Sequence, residues 1–204
     1  MAQTAPTKGN LMAAKRSRAL AENGWELMDQ KRNILIRELM GRIDRAGELQ
    51  SLIGDTFREA YDALAMARIA GGDCSAAVES LPEDESVRLL WRSVMGVEIP
   101  TVASEPMDRE EIPYALGASS SALDEAYRRF AQVKELLAEL AETENAVYRL
   151  AFAIEKSRKR ANALENIVIP GLDADILRIA DALAEKEREE FVRRKVIKAR
   201  KKDS

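Results

Sequence analysis

From Leu123 to Ile154 the chain repeats one spacing. Leu123, Ala126, Phe130, Val133, Leu137, Leu140, Glu144, Val147, Ala151 and Ile154 follow one another at alternating steps of three and four. That is the a/d seam of a coiled coil, and Glu144 is its charged member, placed to set register or to face an opposing Lys or Arg. Ala161, Leu164, Val168, Leu172, Ile176, Ile179 and Leu183 continue the seam. A second run carries Leu20, Leu27, Leu35, Leu39, Ile43, Ala46, Leu49, Ile53, Phe57, Ala60, Leu64 and Ala67, most of them on one helical face. As helices, residues 121–197 would extend about 115 Å and residues 10–69 about 90 Å. A compact domain of this size has a radius of gyration of only about 17 Å. The two helices are therefore predicted to pair as a long antiparallel coiled-coil hairpin.

Local signals mark the ends. Thr7 is placed to cap the first helix, with Gly9 expected to delay its start, and the glycines of "AGGDC" stop it. Ser119 or Ser120 is placed to cap the second. Gly24, Gly41, Gly47 and Gly54 interrupt the first helix and predict close approach of its neighbour. Pro170 interrupts the second. Its missing N–H and its ring predict a bend at Asn166–Pro170, with the Asn166 carbonyl taken by water or a side chain.

The middle of the chain differs. Pro82, Pro100, Pro106 and Pro113 lie there, four of the chain's six prolines. "LPEDESVRLLWRSVMG" reads as a short amphipathic helix with Leu89, Leu90 and Val94 inward. "VEIPTVAS" and "REEIPYALG" read as strands of a small exposed hairpin, since proline is confined to sheet edges. Trp91 is expected to anchor this element to the helices, or else to serve an interface. The fold class is all-α dominated: a long N-terminal helix (1–70), a middle element of a short helix and a β-hairpin (71–120), and a long C-terminal helix with a basic tail (121–204).

Composition narrows the function. Hydrophobic residues make up 46% but aromatics only 5%, and charged residues 33%, a mix that suits long helices rather than a compact core. The chain has no histidine and one cysteine, Cys74, so the commonest general base and metal ligand is absent and no disulfide forms within the chain. No phosphate-binding glycine loop, dinucleotide fingerprint or zinc spacing occurs. No catalytic residue, cofactor or metal is expected. No apolar run reaches the roughly 20 residues of a membrane span, and a soluble, intracellular protein is expected. The basic run Arg193–Lys202 suits a helix C-terminus; a nucleic-acid arm would need interleaved aromatics or a second basic stripe, and neither is present.

Two terminal motifs carry a resemblance. "PTKGNLMAAKRSRALAENGWELMDQKRNIL" and "KRANALENIVIPGL" followed by "EKEREEFVRRKVIK" resemble the signatures of the D subunit of the V/A-type ATPases and ATP synthases. The matching positions are Pro6, Thr7, Leu11, Lys15, Arg16, Leu20, Ala21, Gly24, Leu27, Lys31 and Arg32, then Arg160, Asn162, Ala163, Leu164, Glu165, Val168, Ile169, Pro170, Glu187, Arg188, Glu189, Phe191, Arg193 and Lys195. "VMGVEIP" is similar to the family's middle segment. Arg18 and Ala161 depart from usually aliphatic positions and predict a looser seam. The resemblance implies a non-catalytic central-stalk rotor. Its partners would be the alternating A and B subunits, the F subunit of the stalk and the funnel-shaped C/d subunit on the membrane ring, with no nucleic acid and no membrane insertion. It implies hexamer contacts at Lys15, Arg16, Gly24, Lys31, Arg32, Glu187, Arg188, Phe191, Arg193 and Lys195, and a kink at Asn166 and Pro170. Contacts with the F subunit and the foot are expected at Trp91, Met95, Ile99 and Phe130. A coiled-coil scaffold without a motor remains the alternative on periodicity alone.

Overall fold

The computed structural model describes residues 5–75, 79, 86–104, 114 and 120–201. Helix α1 spans Lys8–Gly71, strand β1 Val87–Val94, strand β2 Val97–Ser104 and helix α2 Ser121–Ala163. A five-residue π-helix, Leu164–Val168, leads into helix α3, Ile169–Arg200. The chain divides into two compact units, Met1–Asn33 with Glu155–Ser204, and Ile34–Ile154.

The helix ends follow local chemistry. The Asn10 N–H donates to the Thr7 hydroxyl at 3.2 Å, and α1 starts at Lys8 without delay at Gly9. Gly72 stops α1 with φ +76°, its N–H donating to the Arg68 carbonyl at 3.0 Å. The Ser120 hydroxyl accepts from the Leu123 N–H at 3.3 Å and caps α2.

Burial on α1 follows a strict three–four rhythm through Leu11, Ala14, Arg18, Ala21, Trp25, Met28, Arg32, Leu35, Leu39, Arg42, Ala46, Leu49, Ile53, Thr56, Ala60, Ala63 and Ala67, none of them exposed. Leu20, Leu27 and Ile43, expected inside, face outward; Leu20 is 73% exposed and Leu27 62%. The sequence reading followed apolar residues and passed over a seam that carries arginines. Two of these meet an acid on the facing helix. Arg18 bonds Asp173 at 2.8 Å, and Arg42 bonds Glu142 at 3.3 Å. At Arg18 an ion pair therefore replaces the looser packing that its departure predicted. Glycine does not mark close approach at Gly41, Gly47 or Gly54, where a Cβ would meet nothing within 4 Å. Only Gly24 among these four has a neighbour, the Leu164 side chain at 3.7 Å.

Helix α2 shows the same rhythm through Ala122, Ala126, Arg129, Val133, Leu136, Leu140, Thr143, Val147, Leu150, Ile154, Ser157, Ala161 and Leu164. Ala126, Val133, Leu140, Val147, Ile154, Ala161 and Leu164 were expected. Leu123, expected inside, is buried beside Ala122, and Ser157 joins the seam where none was predicted; at Arg129, Leu136, Thr143 and Leu150 the seam lies one residue earlier than predicted, so Leu137, Glu144 and Ala151 are exposed. Turning Thr143 inward instead of Glu144 avoids burying a charge. The Thr143 hydroxyl donates to the Glu139 carbonyl at 2.8 Å, while Glu144 accepts from the Gln50 side chain at 3.2 Å.

After Leu164 the seam takes one step of five, to Ile169, and then resumes through Leu172, Ile176, Ile179 and Leu183. The π-turn supplies that extra residue. Ile169 N–H reaches back five residues to the Leu164 carbonyl, and Val168, expected inside, turns outward. Pro170 follows directly, so its missing N–H falls where the α-helical ladder is already interrupted. The Asn166 side chain donates to the Asn162 carbonyl at 3.1 Å. Pro170→Ala is therefore expected to raise the unfolding free energy by under about 1 kcal/mol, not the roughly 3 kcal/mol of an ordinary mid-helix proline. Denaturant titration of the full chain measures this.

In the Ile34–Ile154 unit, α1 and α2 run antiparallel, tied by Arg45–Glu139 at 2.6 Å and Arg129–Glu59 at 2.7 Å. The β-hairpin packs on them through Ile99, which joins Leu35, Ala146 and Leu150 in a fully buried cluster. "VRLLWRSV" is a strand, not the expected helix, and it pairs antiparallel with "VEIPTVAS". Leu89 and Leu90, expected inward, are each 56% exposed. The reason lies in the turn. Met95 and Gly96 both have positive φ, 51° and 74°, the two-residue geometry whose twist matches antiparallel strands. Most of "REEIPYALG", expected as the second strand, lies outside the described residues.

Candidate interaction surfaces

The ten residues expected to meet the hexamer all fall in the unit Met1–Asn33 with Glu155–Ser204. Lys15 and Arg16 project from α1 into solvent. Gly24, Lys31 and Arg32 are half-buried, and Arg32 pairs with Asp29. Glu187 receives Lys8 at 3.0 Å, and this hydrogen-bonded, opposite charge raises the lysine pKa. Arg188 pairs with Glu185 at 3.3 Å and Arg193 with Glu189 at 3.2 Å, both along α3 itself. Lys195 is exposed, and Phe191 is 66% exposed. Sequence reasoning missed Leu20, Leu27 and Leu177 as outward-facing apolar residues of the same unit. Their signal was present: Leu20 and Leu27 lie off the three–four rhythm once Arg18 is admitted to the seam, and Leu177 lies off the rhythm of Leu172, Ile176 and Ile179.

The four residues expected at the foot fall in the Ile34–Ile154 unit. Trp91 is exposed on one face, with the Arg149 guanidinium 4.7 Å from its ring centroid. Met95 is exposed at the hairpin turn. Phe130 is half-buried and meets Tyr61 edge-on at 5.5 Å. Ile99 is different: at 1% exposure it offers no surface and instead fastens the hairpin to the helices.

A polar chain adds to that fastening. Arg92 bonds Glu38 at 2.8 Å, Glu38 bonds Arg42 at 3.5 Å, Arg42 bonds Glu142 at 3.3 Å, and Glu142 accepts the Val102 N–H at 2.8 Å. Cys74 is half-buried against the cluster of Ala67, Tyr114, Leu123 and Ala126. In that cluster, burial and the bond to Asp124 push the Tyr114 phenol pKa up. Among the described residues, no group of acidic or cysteine side chains has the arrangement to hold a metal, and no helix is long and apolar enough to cross a membrane.

A sequence profile for the ATP synthase D subunit matches residues 10–199. The chain belongs to the ATP synthase D-subunit family. The V-type ATP synthase D subunit of Thermotoga neapolitana is 43% identical over 196 residues, covering 95% of this chain and 96% of that protein. The A-type ATP synthase D subunits of Thermococcus sibiricus and Methanobrevibacter smithii are 35% and 37% identical over 198 residues, covering 95% of this chain and 92% and 86% of those proteins. As a member of this family, the chain is a non-catalytic central-stalk component of a V/A-type ATP synthase, and its partners are other subunits of that membrane-associated complex. Membership decides against a motor-free scaffold. It also accounts for a fold that buries narrow helical seams and leaves many apolar side chains outside.

Proposed function

We propose that the chain transmits rotation between the ion-driven membrane ring and the A/B hexamer, on the cytoplasmic side of the membrane. The unit of chain ends lies within the hexamer. The unit carrying the β-hairpin binds the F subunit and seats on the funnel-shaped C/d subunit. One observation carries this reading: the unit of chain ends exposes Leu20, Leu27, Leu177, Phe191 and Val192 beside closely mixed charges. A rotor must make similar contacts in three orientations, and deep anchoring pockets would trap it. Apolar side chains spread singly among self-paired charges give shallow contacts instead. The π-turn and Pro170 set the direction of the last helix, so that the three A/B interfaces are treated unequally in turn.

The test uses Phe191→Cys in a Cys74→Ser background, assembled into the complete synthase and labelled with a thiol-reactive photo-cross-linker. Illumination is expected to give adducts with A and B subunits and to stop ATP turnover. Adducts with F alone, or undiminished turnover at full cross-linking, would refute the placement.

A further inference from the structure

The two edges of the β-hairpin are treated differently. Val94 and Val97 close the two-residue turn, so in this register the facing pairs Ser93–Glu98, Trp91–Pro100 and Leu89–Val102 point their backbone groups away from the partner strand. On β2 those outward groups are dealt with. The Glu98 carbonyl accepts from Arg149 at 3.1 Å, Pro100 has no N–H, and the Val102 N–H donates to Glu142 at 2.8 Å. On β1 the corresponding groups of Leu89, Trp91 and Ser93 meet no hydrogen-bond partner among the described residues. Val87, Leu89, Leu90 and Trp91 stand about half-exposed along the same edge. An apolar edge left open in this way is a template for another strand.

We propose that β1 takes up an extended segment of another subunit of the synthase by strand addition, a reading that rests on the chain's place in that complex. Charge selects the occupant. "VRLLWRSV" carries two arginines and no acid. A second copy brings no acid to Arg92 in any register, and paired antiparallel about Leu90 it would set Arg88 against Arg92 of its neighbour, like charges that destabilise a sheet. The incoming strand therefore carries an acidic residue opposite Arg92 and apolar ones beside it. Arg92 keeps donors for such a partner beyond the nitrogen bonded to Glu38. Backbone bonds to Leu89, Trp91 and Ser93 supply affinity, and the side chains supply choice.

Hydrogen exchange resolved to single amides, compared between the isolated full chain and the assembled synthase, tests this. The Leu89, Trp91 and Ser93 amides are expected to slow by roughly tenfold or more on assembly, with little change at Leu90 and Arg92, already bonded within the hairpin. Leu89→Pro removes one outward N–H and spares the β1–β2 ladder, so it is expected to lower incorporation by roughly tenfold relative to Leu89→Ala. Outward amides that exchange as fast after assembly would overturn the inference. So would amides already protected in the isolated chain, which would mean that a segment of this chain covers the edge. In both cases a chain that still co-purifies with the other subunits leaves the stalk assignment standing. Failure of the unaltered chain to assemble at all would overturn both.

Discussion

A synthase rebuilt with a chain ending at Ile179 is expected to make ATP at close to background under an ion gradient, while the shortened subunit remains folded. Both halves have physical grounds. Beyond Leu183 every described residue of α3 is exposed, so the deletion removes little buried surface. The described cross-helix tie it takes away, Lys8–Glu187, joins side chains 79% and 64% exposed, and solvent leaves such a pair with little net stabilisation. The fold therefore has small reason to notice. The complex has large reason: the deletion removes Phe191, Val192 and the alternating charges proposed to bear on the hexamer. Circular dichroism of the free subunit and gradient-driven ATP synthesis by the rebuilt complex measure the two halves. Full synthesis with residues 180–204 absent would end the proposal that this helix carries torque.

Leu150→Ala should cost about 3 kcal/mol of stability, within the usual range for truncating a fully buried leucine. Leu150 has no exposed surface and meets Leu35 of α1 and Ile99 of β2 in one cluster. Leu137→Ala, at a position that periodicity alone assigns to the seam, should cost under about 1 kcal/mol, because Leu137 faces outward. Urea titrations of the two variants discriminate between the two registers. A larger loss from Leu137→Ala than from Leu150→Ala would mean that the seam runs where periodicity alone put it. The Leu150 variant should also speed exchange at the Ile99 amide, since the hairpin loses part of its seat.

The difference between those two leucines shows how far local sequence reaches. Leu136 and Leu137 are chemically the same, and a three–four pattern can be drawn through either. The choice was settled further along, where Thr143 turns inward and Glu144 stays in water, and by the facing helix that Leu150 meets. On α1 the rhythm was present throughout, but Arg18, Arg32 and Arg42 occupy seam positions and hid it. Two of them are tolerable there because Asp173 and Glu142 stand opposite, which no reading of α1 alone reveals. "VRLLWRSV" holds enough leucine for a helix, and became a strand because Met95–Gly96 turns the chain back onto "VEIPTVAS". Of the expected contact residues, Trp91 and Phe191 are accessible, whereas Ile99 is not, because the hairpin lies on its Ile99 side.

By itself the sequence determined where helices begin and end, at Thr7, Gly72 and Ser120, since caps and stops act within a few residues of backbone. It determined that two helices are too long for a compact domain, and its terminal motifs determined the family. Tertiary structure decided which of two adjacent stripes faces inward, which arginines find acids, and that the defect before Pro170 becomes a π-turn. Those outcomes depend on what stands across the seam. The step of five from Leu164 to Ile169 is favourable because it returns Ile169, Leu172 and Ile176 to a face that a second helix covers.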